Sequence, residues 1–105
     1  MIKLAFIGAG SVEFTRNVTT DLCSYLEFRG ELHFSLYDIS AERLAHAERL
    51  VSRISAQTGA QATVTATQDR RAALAGANYV INEVQVGGYA ATRADFDIPA
   101  RYGLR

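Results

Sequence analysis

An α/β fold with a parallel sheet is predicted by three observations on this 105-residue chain. Short apolar runs alternate with longer segments of helical period, the first run ends in Gly-x-Gly, and the second ends in an acidic residue. The first strand is Ile2 to Ile7. Helix one is predicted from about Ser11 into the Glu27 to Gly30 region, with Phe14, Val18, Leu22, Tyr25 and Leu26 on one face and Gly30 as its stop. Strand two is Leu32 to Tyr37. Ser40 then caps helix two, whose apolar stripe is Leu44, Ala47, Leu50, Val51 and Ile54 and whose end is marked by Gly59.

The later elements are shorter. Ala62 to Thr67 reads as a third strand, more polar than the others and so placed at the sheet edge. Asp69 to Ala75 reads as a short helix closed by Gly76, and Tyr79 to Val86 as a fourth strand. Gly87-Gly88-Tyr89 turns the chain into a helical segment, Ala90 to Phe96, interrupted around Pro99. Four parallel strands joined in this way take the order 3-2-1-4, the first half of a Rossmann-type sheet plus one strand of the second. Such a doubly wound domain is incomplete. Residues 1–105 are therefore expected to be the N-terminal part of a dinucleotide-binding domain, with the rest of that domain absent.

Composition narrows the function classes. Eleven basic residues balance eleven acidic ones, and Lys3 is the only lysine, so no basic field points to nucleic acid. No apolar stretch is long enough to span a bilayer, and no signal or transit pattern precedes the first strand. One cysteine, Cys23, excludes an internal disulfide and suits a reducing cytoplasm.

The candidate site follows from the strand ends. In Gly8-Ala9-Gly10-Ser11, Gly8 permits a tight turn, and Gly10 lacks a Cβ, so backbone can approach a pyrophosphate. The first N–H groups of the following helix, at the positive end of its dipole, face the phosphates. Glu13 stands where the fingerprint has its third glycine, which implies a shifted helix. Asp38, at the tip of strand two, can accept hydrogen bonds from both adenosine ribose hydroxyls and would repel a 2′-phosphate, favouring NAD over NADP. The stretch from Gly10 to Asp38 exceeds the usual spacing of about 20 residues, which fits a long first helix. The alternative is that Asp38 only precedes the Ser40 cap. Val86, Gly87 and Gly88 can set bare backbone against the nicotinamide end of the cofactor, or can simply form a turn.

Four segments stand in an order that resembles glycoside hydrolase family 4. They are Phe6-Ile7-Gly8-Ala9-Gly10-Ser11, Leu36-Tyr37-Asp38-Ile39, Ala77-Asn78-Tyr79-Val80-Ile81-Asn82 and Gln85-Val86-Gly87-Gly88-Tyr89. The trailing Arg93-Ala94-Asp95-Phe96-Asp97-Ile98-Pro99-Ala100-Arg101-Tyr102-Gly103 resembles that family too. The resemblance implies a cytoplasmic, NAD-dependent glycosidase that also uses manganese or another divalent metal, an exception to two-carboxylate sugar hydrolysis. It implies that transient oxidation at C3 of the sugar acidifies the C2 proton, so that the glycosidic oxygen leaves by elimination. Gly8, Gly10 and Ser11 match the pyrophosphate turn, Asp38 the ribose carboxylate, and Val86, Gly87 and Gly88 the loop beside nicotinamide and sugar.

The same resemblance places the metal-binding Cys and His and the Tyr base in downstream regions, so no catalytic residue or metal ligand is assigned here. Cys23, His33 and His46 are expected to hold no metal, and Tyr89 and Tyr102 to serve packing. Members that act on 6-phosphosugars carry an arginine three residues after the loop tyrosine. Here Thr92 takes that place and Arg93 follows, so an unphosphorylated α-galactoside, α-glucoside or uronide is expected. The partner is then a small-molecule glycoside, with neither nucleic acid nor membrane, in a homo-oligomeric full-length enzyme. Two alternatives stay open: a lactate/malate-type dehydrogenase, which would need a substrate-binding arginine loop after strand four, and an inactive nucleotide-binding fragment.

Overall fold

The computed structural model describes residues 1–84, 97, 98, 101 and 103. The expected Ala90 to Phe96 helix, the loop residues Val86, Gly87, Gly88 and Tyr89, and Thr92, Arg93, Pro99 and Tyr102 lie outside the described residues. Within them the chain runs β1 (Ile2–Ile7), α1 (Val12–Cys23), a 3-10 turn (Leu26–Phe28), β2 (Leu32–Tyr37), α2 (Ala41–Thr58), β3 (Thr63–Thr67), α3 (Arg70–Leu74) and β4 (Tyr79–Asn82). The strands form one parallel sheet in the order β3-β2-β1-β4. That is the predicted order, with polar β3 at an edge.

Register aligns the strand ends that matter. Ile7 stands opposite Tyr37 on one side and Asn82 on the other, so the loops leaving β1, β2 and β4 emerge side by side. The core lies between the sheet and its helices. Leu4, Phe6, Leu32, Phe34 and Leu36 come from the strands, and Leu44, Ala47, Val51 and Ile54 from α2. Phe6 and Phe34 meet edge to face at 6.0 Å, a favoured aromatic geometry. The stripe predicted for α2 is the buried one, and both of its ends are as expected. Ser40 accepts a hydrogen bond from the Arg43 N–H, and Gly59 closes the helix with φ +72°.

Helix α1 differs from expectation. It stops at Cys23, and Ser24 takes the carbonyl of Asp21 with its own hydroxyl at 2.6 Å. A side chain that competes for backbone acceptors favours a helix end. An extended Tyr25 and the 3-10 turn follow, so the long Gly10–Asp38 gap is only partly helix. The buried face is also shifted. Phe14, Tyr25 and Leu26 are exposed, whereas Thr15, Thr19 and Cys23 face the interior, flanked by partly buried Val18 and Leu22. Thr15 donates its hydroxyl to the Ala9 carbonyl at 2.9 Å and Thr19 to the Thr15 carbonyl at 2.7 Å. With their hydroxyls satisfied inside the chain, these threonines bury at little cost. A reading from hydrophobicity alone therefore selects the neighbouring face.

Candidate dinucleotide site at the strand ends

The β1–α1 turn is fixed by β2 and the loop beyond it. The N–H groups of Gly8 and Ala9 both donate to the Tyr37 carbonyl, at 3.0 and 2.9 Å, and the Ser11 N–H donates to the Gly8 carbonyl at 3.0 Å. Asp38 completes the arrangement. Its Oδ2 accepts from the Gly10 N–H at 2.8 Å, and its Oδ1 from the Ser40 N–H at 2.9 Å. A carboxylate that binds two backbone donors from separate loops locks the ends of β1 and β2 together. Arg43, in the first turn of α2, adds a hydrogen bond from Nη2 to the Gly10 carbonyl at 3.0 Å.

Both glycines have physical reasons to be there. Gly8 has φ +89°, and a Cβ built on it would lie 3.0 Å from the Glu83 and Val84 backbone. Gly10 has a reason within the chain itself. The space its Cβ would fill is held by Asp38 Oδ2 at 2.6 Å and Arg43 Cβ at 2.8 Å. The N–H groups of residues 8–11 are all used within the chain, as given above. The N–H groups of Val12, Glu13 and Phe14, the first residues of α1, lack an intrahelical acceptor. Ser11 precedes them without a side-chain cap bond. Glu13 is exposed, so this helix face does not need the third glycine.

A single concavity gathers these residues. Gly8, Ser11, Tyr37, Asp38, Ile39, Arg43, Glu83 and Val84 line it. The structure thus brings together the predicted Gly8, Ser11 and Asp38, with Gly10 directly behind Asp38. Asp38 is 6 % exposed and its two bonds leave one lone pair on each oxygen, which is what a pair of ribose hydroxyls requires. Val86, Gly87 and Gly88 lie outside the described residues.

Among the wall residues that were not singled out from the sequence are Arg43 and Glu83. Glu83 follows the end of β4 and is partly buried like Ile81, two residues earlier, and a carboxylate on that period was the available signal. Its Oε1 lies 2.9 Å from Thr15 Oγ1, and its Oε2 is buried with no hydrogen-bond partner among the described residues. Burial pushes its pKa up to about 7 and the charge of Asp38 raises it further, while a hydrogen bond donated to it by Thr15 acts the other way.

The remaining titratable candidates stand apart from the pocket. Cys23 is buried on α1, and burial raises its thiol pKa although the Thr58 hydroxyl lowers it. His33 meets Thr65 Oγ1 at 2.8 Å, and its pKa is lowered by burial and by the charge of Lys3. Among the described residues no three His, Cys, Asp or Glu side chains converge as a metal site would need. None of the described helices is long and apolar enough to cross a membrane.

A parallel 3-2-1-4 sheet whose strand ends carry a glycine turn and a buried carboxylate defines the chain as Rossmann-like. The model of one family, described as "Family 4 glycosyl hydrolase", matches residues 3–105, and the chain belongs to that family. It is 42 % identical over 106 residues to an alpha-galactosidase of Bacillus subtilis (strain 168), covering 100 % of this chain and 24 % of the relative. It is 44 % identical over 102 residues to an alpha-galactosidase of Rhizobium meliloti (strain 1021), covering 97 % of the chain and 21 % of that protein. An alpha-glucosidase of Erwinia rhapontici is 34 % identical over 104 residues, covering 98 % and 23 %. The chain thus spans less than a quarter of the length of these relatives.

Proposed function

We propose that this chain forms the NAD-binding opening of a glycosidase that cleaves O-glycosyl bonds of an unphosphorylated α-galactoside, or of a related α-glucoside or uronide. The observation that carries the proposal is the pocket in which Gly8, Ser11 and Asp38 meet at the ends of β1 and β2, in a chain of family 4. The alpha-galactosidase names of two relatives favour the galactoside.

When bound, NAD supplies the hydride acceptor for transient oxidation at C3 of the sugar, which acidifies the C2 proton and permits elimination. The residues of this chain hold and orient the cofactor. Asp38 takes the adenosine ribose hydroxyls on its two remaining lone pairs and disfavours a 2′-phosphate. The N–H groups of Val12, Glu13 and Phe14, with the Ser11 hydroxyl, meet the pyrophosphate at the positive end of α1. Arg43 adds the pocket's fixed positive charge. The family resemblance assigns Val86, Gly87 and Gly88 to the loop beside nicotinamide and sugar. The described residues contain no cluster fit for manganese or another divalent metal, and no metal step is assigned to them. Its setting is the cytoplasm, as a homo-oligomer.

Turnover in deuterated water tests the proposal. A nitrophenyl α-galactoside cleaved by the protein with NAD and manganese should yield sugar carrying deuterium at C2. Cleavage without deuterium at C2, or with no need for NAD, contradicts it.

A further inference from the structure

Glu83 is a pocket-wall group that the proposed chemistry does not use, and its surroundings fix where its proton sits. Thr15 Oγ1 lies 2.9 Å from the Ala9 carbonyl and 2.9 Å from Glu83 Oε1. A threonine hydroxyl carries one proton, and a carbonyl can only accept. One proton cannot serve both contacts, so both are hydrogen bonds only where Thr15 donates to Ala9 and the Glu83 carboxyl donates to Thr15. An ionised Glu83 would set one oxygen against the lone pairs of the hydroxyl and leave the buried Oε2 bare.

We infer that Glu83 is a neutral acid that donates its proton to Thr15 and positions the β1–α1 turn, and that the pocket takes an anionic dinucleotide best while that proton is held. The inference rests on the reading of the pocket as a dinucleotide site. The carboxyl is tied to the turn twice over. Its own N–H donates to the Ile7 carbonyl at 2.9 Å, and Thr15 links its side chain to Ala9.

The charged and titratable groups around it come from every neighbouring element. The loop after β2 contributes Asp38, and the end of β2 contributes Tyr37. Arg43 stands on α2, and no ion pair among the described residues joins it to Glu83. Helix α1 offers Thr15, while its Glu13 and Arg16 are exposed. The β1–α1 turn, Gly8-Ala9-Gly10-Ser11, carries no charged side chain. One carboxylate, Asp38, already accepts two backbone N–H bonds there, and a pyrophosphate adds further negative charge. A second carboxylate there is repelled by both. Burial, the first cause of the upward shift to about 7, acts in the same direction.

By linkage, a site that requires a proton loses affinity about tenfold per pH unit above the pKa of that group. Calorimetric titration of NAD into the protein at pH 6 and pH 8.5 should show binding about tenfold or more weaker at the higher pH. Glu83→Gln keeps an N–H donor for Thr15 and cannot ionise, so its affinity should be flat over that range and exceed that of the unmodified protein at pH 8.5. A flat profile in the unmodified protein, or an unchanged slope in E83Q, overturns the inference. Carbon-13 chemical shifts of glutamate-labelled protein without NAD separate the two readings. The Glu83 carboxyl should titrate near pH 7, and titration near the ordinary 4.5 overturns its neutral state even where NAD binds. Failure to bind NAD at either pH overturns the dinucleotide site itself, whatever the carboxyl does.

Discussion

Replacing Gly8 by alanine perturbs the turn on which the site is built, and its cost can be worked out from two terms. The first is conformational: φ +89° disfavours any L side chain, at about 1–2 kcal/mol. The second is steric. The new methyl would sit 3.0 Å from the Glu83 carbonyl carbon and oxygen and from the Val84 nitrogen. All three are backbone atoms and cannot rotate away, so overpacking adds about 1–2 kcal/mol. Gly59→Ala isolates the first term. Gly59 has φ +72°, yet its added Cβ would meet only the tip of the Arg29 side chain, at 3.4 Å. Urea unfolding should thus show Gly8→Ala losing about 2–4 kcal/mol and Gly59→Ala about 1–2 kcal/mol. At an m-value near 2 kcal/mol/M, the Gly8 variant should unfold about 1–2 M earlier. Equal losses for the two variants would refute the packing argument that places β4 directly against the turn.

Further outcomes are expected. Asp38→Asn keeps the shape but turns an amide N–H toward either Gly10 or Ser40, losing one charge-assisted bond. Stability should fall by about 2 kcal/mol in chemical unfolding, and NAD affinity with it. Glu83 makes stability pH-dependent. Between 4.5, where the unfolded carboxyl titrates, and about 7, the folded chain holds a proton that the unfolded chain has lost. Its stabilisation is present at low pH and lost as pH rises through about 7. A series of melting temperatures should show this limb in the unmodified protein and lose it in Glu83→Gln. Cys23, buried with its pKa raised, should resist iodoacetamide in the folded protein at pH 8 and react on unfolding. Rapid labelling of the native protein would contradict its burial.

The sheet was legible because its strands announce themselves. Ile2–Ile7 and Leu32–Tyr37 are apolar runs with clear stops, and their predicted and observed bounds agree. Helix α2 was legible for the same reason, with a periodic stripe between a serine cap and a glycine stop. Helix α1 was not, because its inward face is Thr15, Thr19 and Cys23. Threonine counts as polar in a periodicity argument, and the Ala9 and Thr15 carbonyls that accept its hydroxyl protons come into view only in three dimensions. The site divides in the same way. Gly8 and Asp38 lie at strand ends, where sequence position fixes spatial position. The function of Gly10 depends on Asp38, 28 residues away, and that of Glu83 on Thr15, 68 residues away. Neither pairing is written in local sequence. The Arg43 contact to Gly10 is another long-range bond of this kind.

The central claim is that the concavity at the ends of β1, β2 and β4 takes NAD, and it can be tested on the unmodified protein. NAD and NADP are titrated in parallel by calorimetry at pH 6, where Glu83 holds its proton. NAD should bind, and NADP should bind at least about tenfold more weakly, a difference of about 1.4 kcal/mol set by Asp38 against the 2′-phosphate. Binding of neither, or equal affinity for both, would contradict the account.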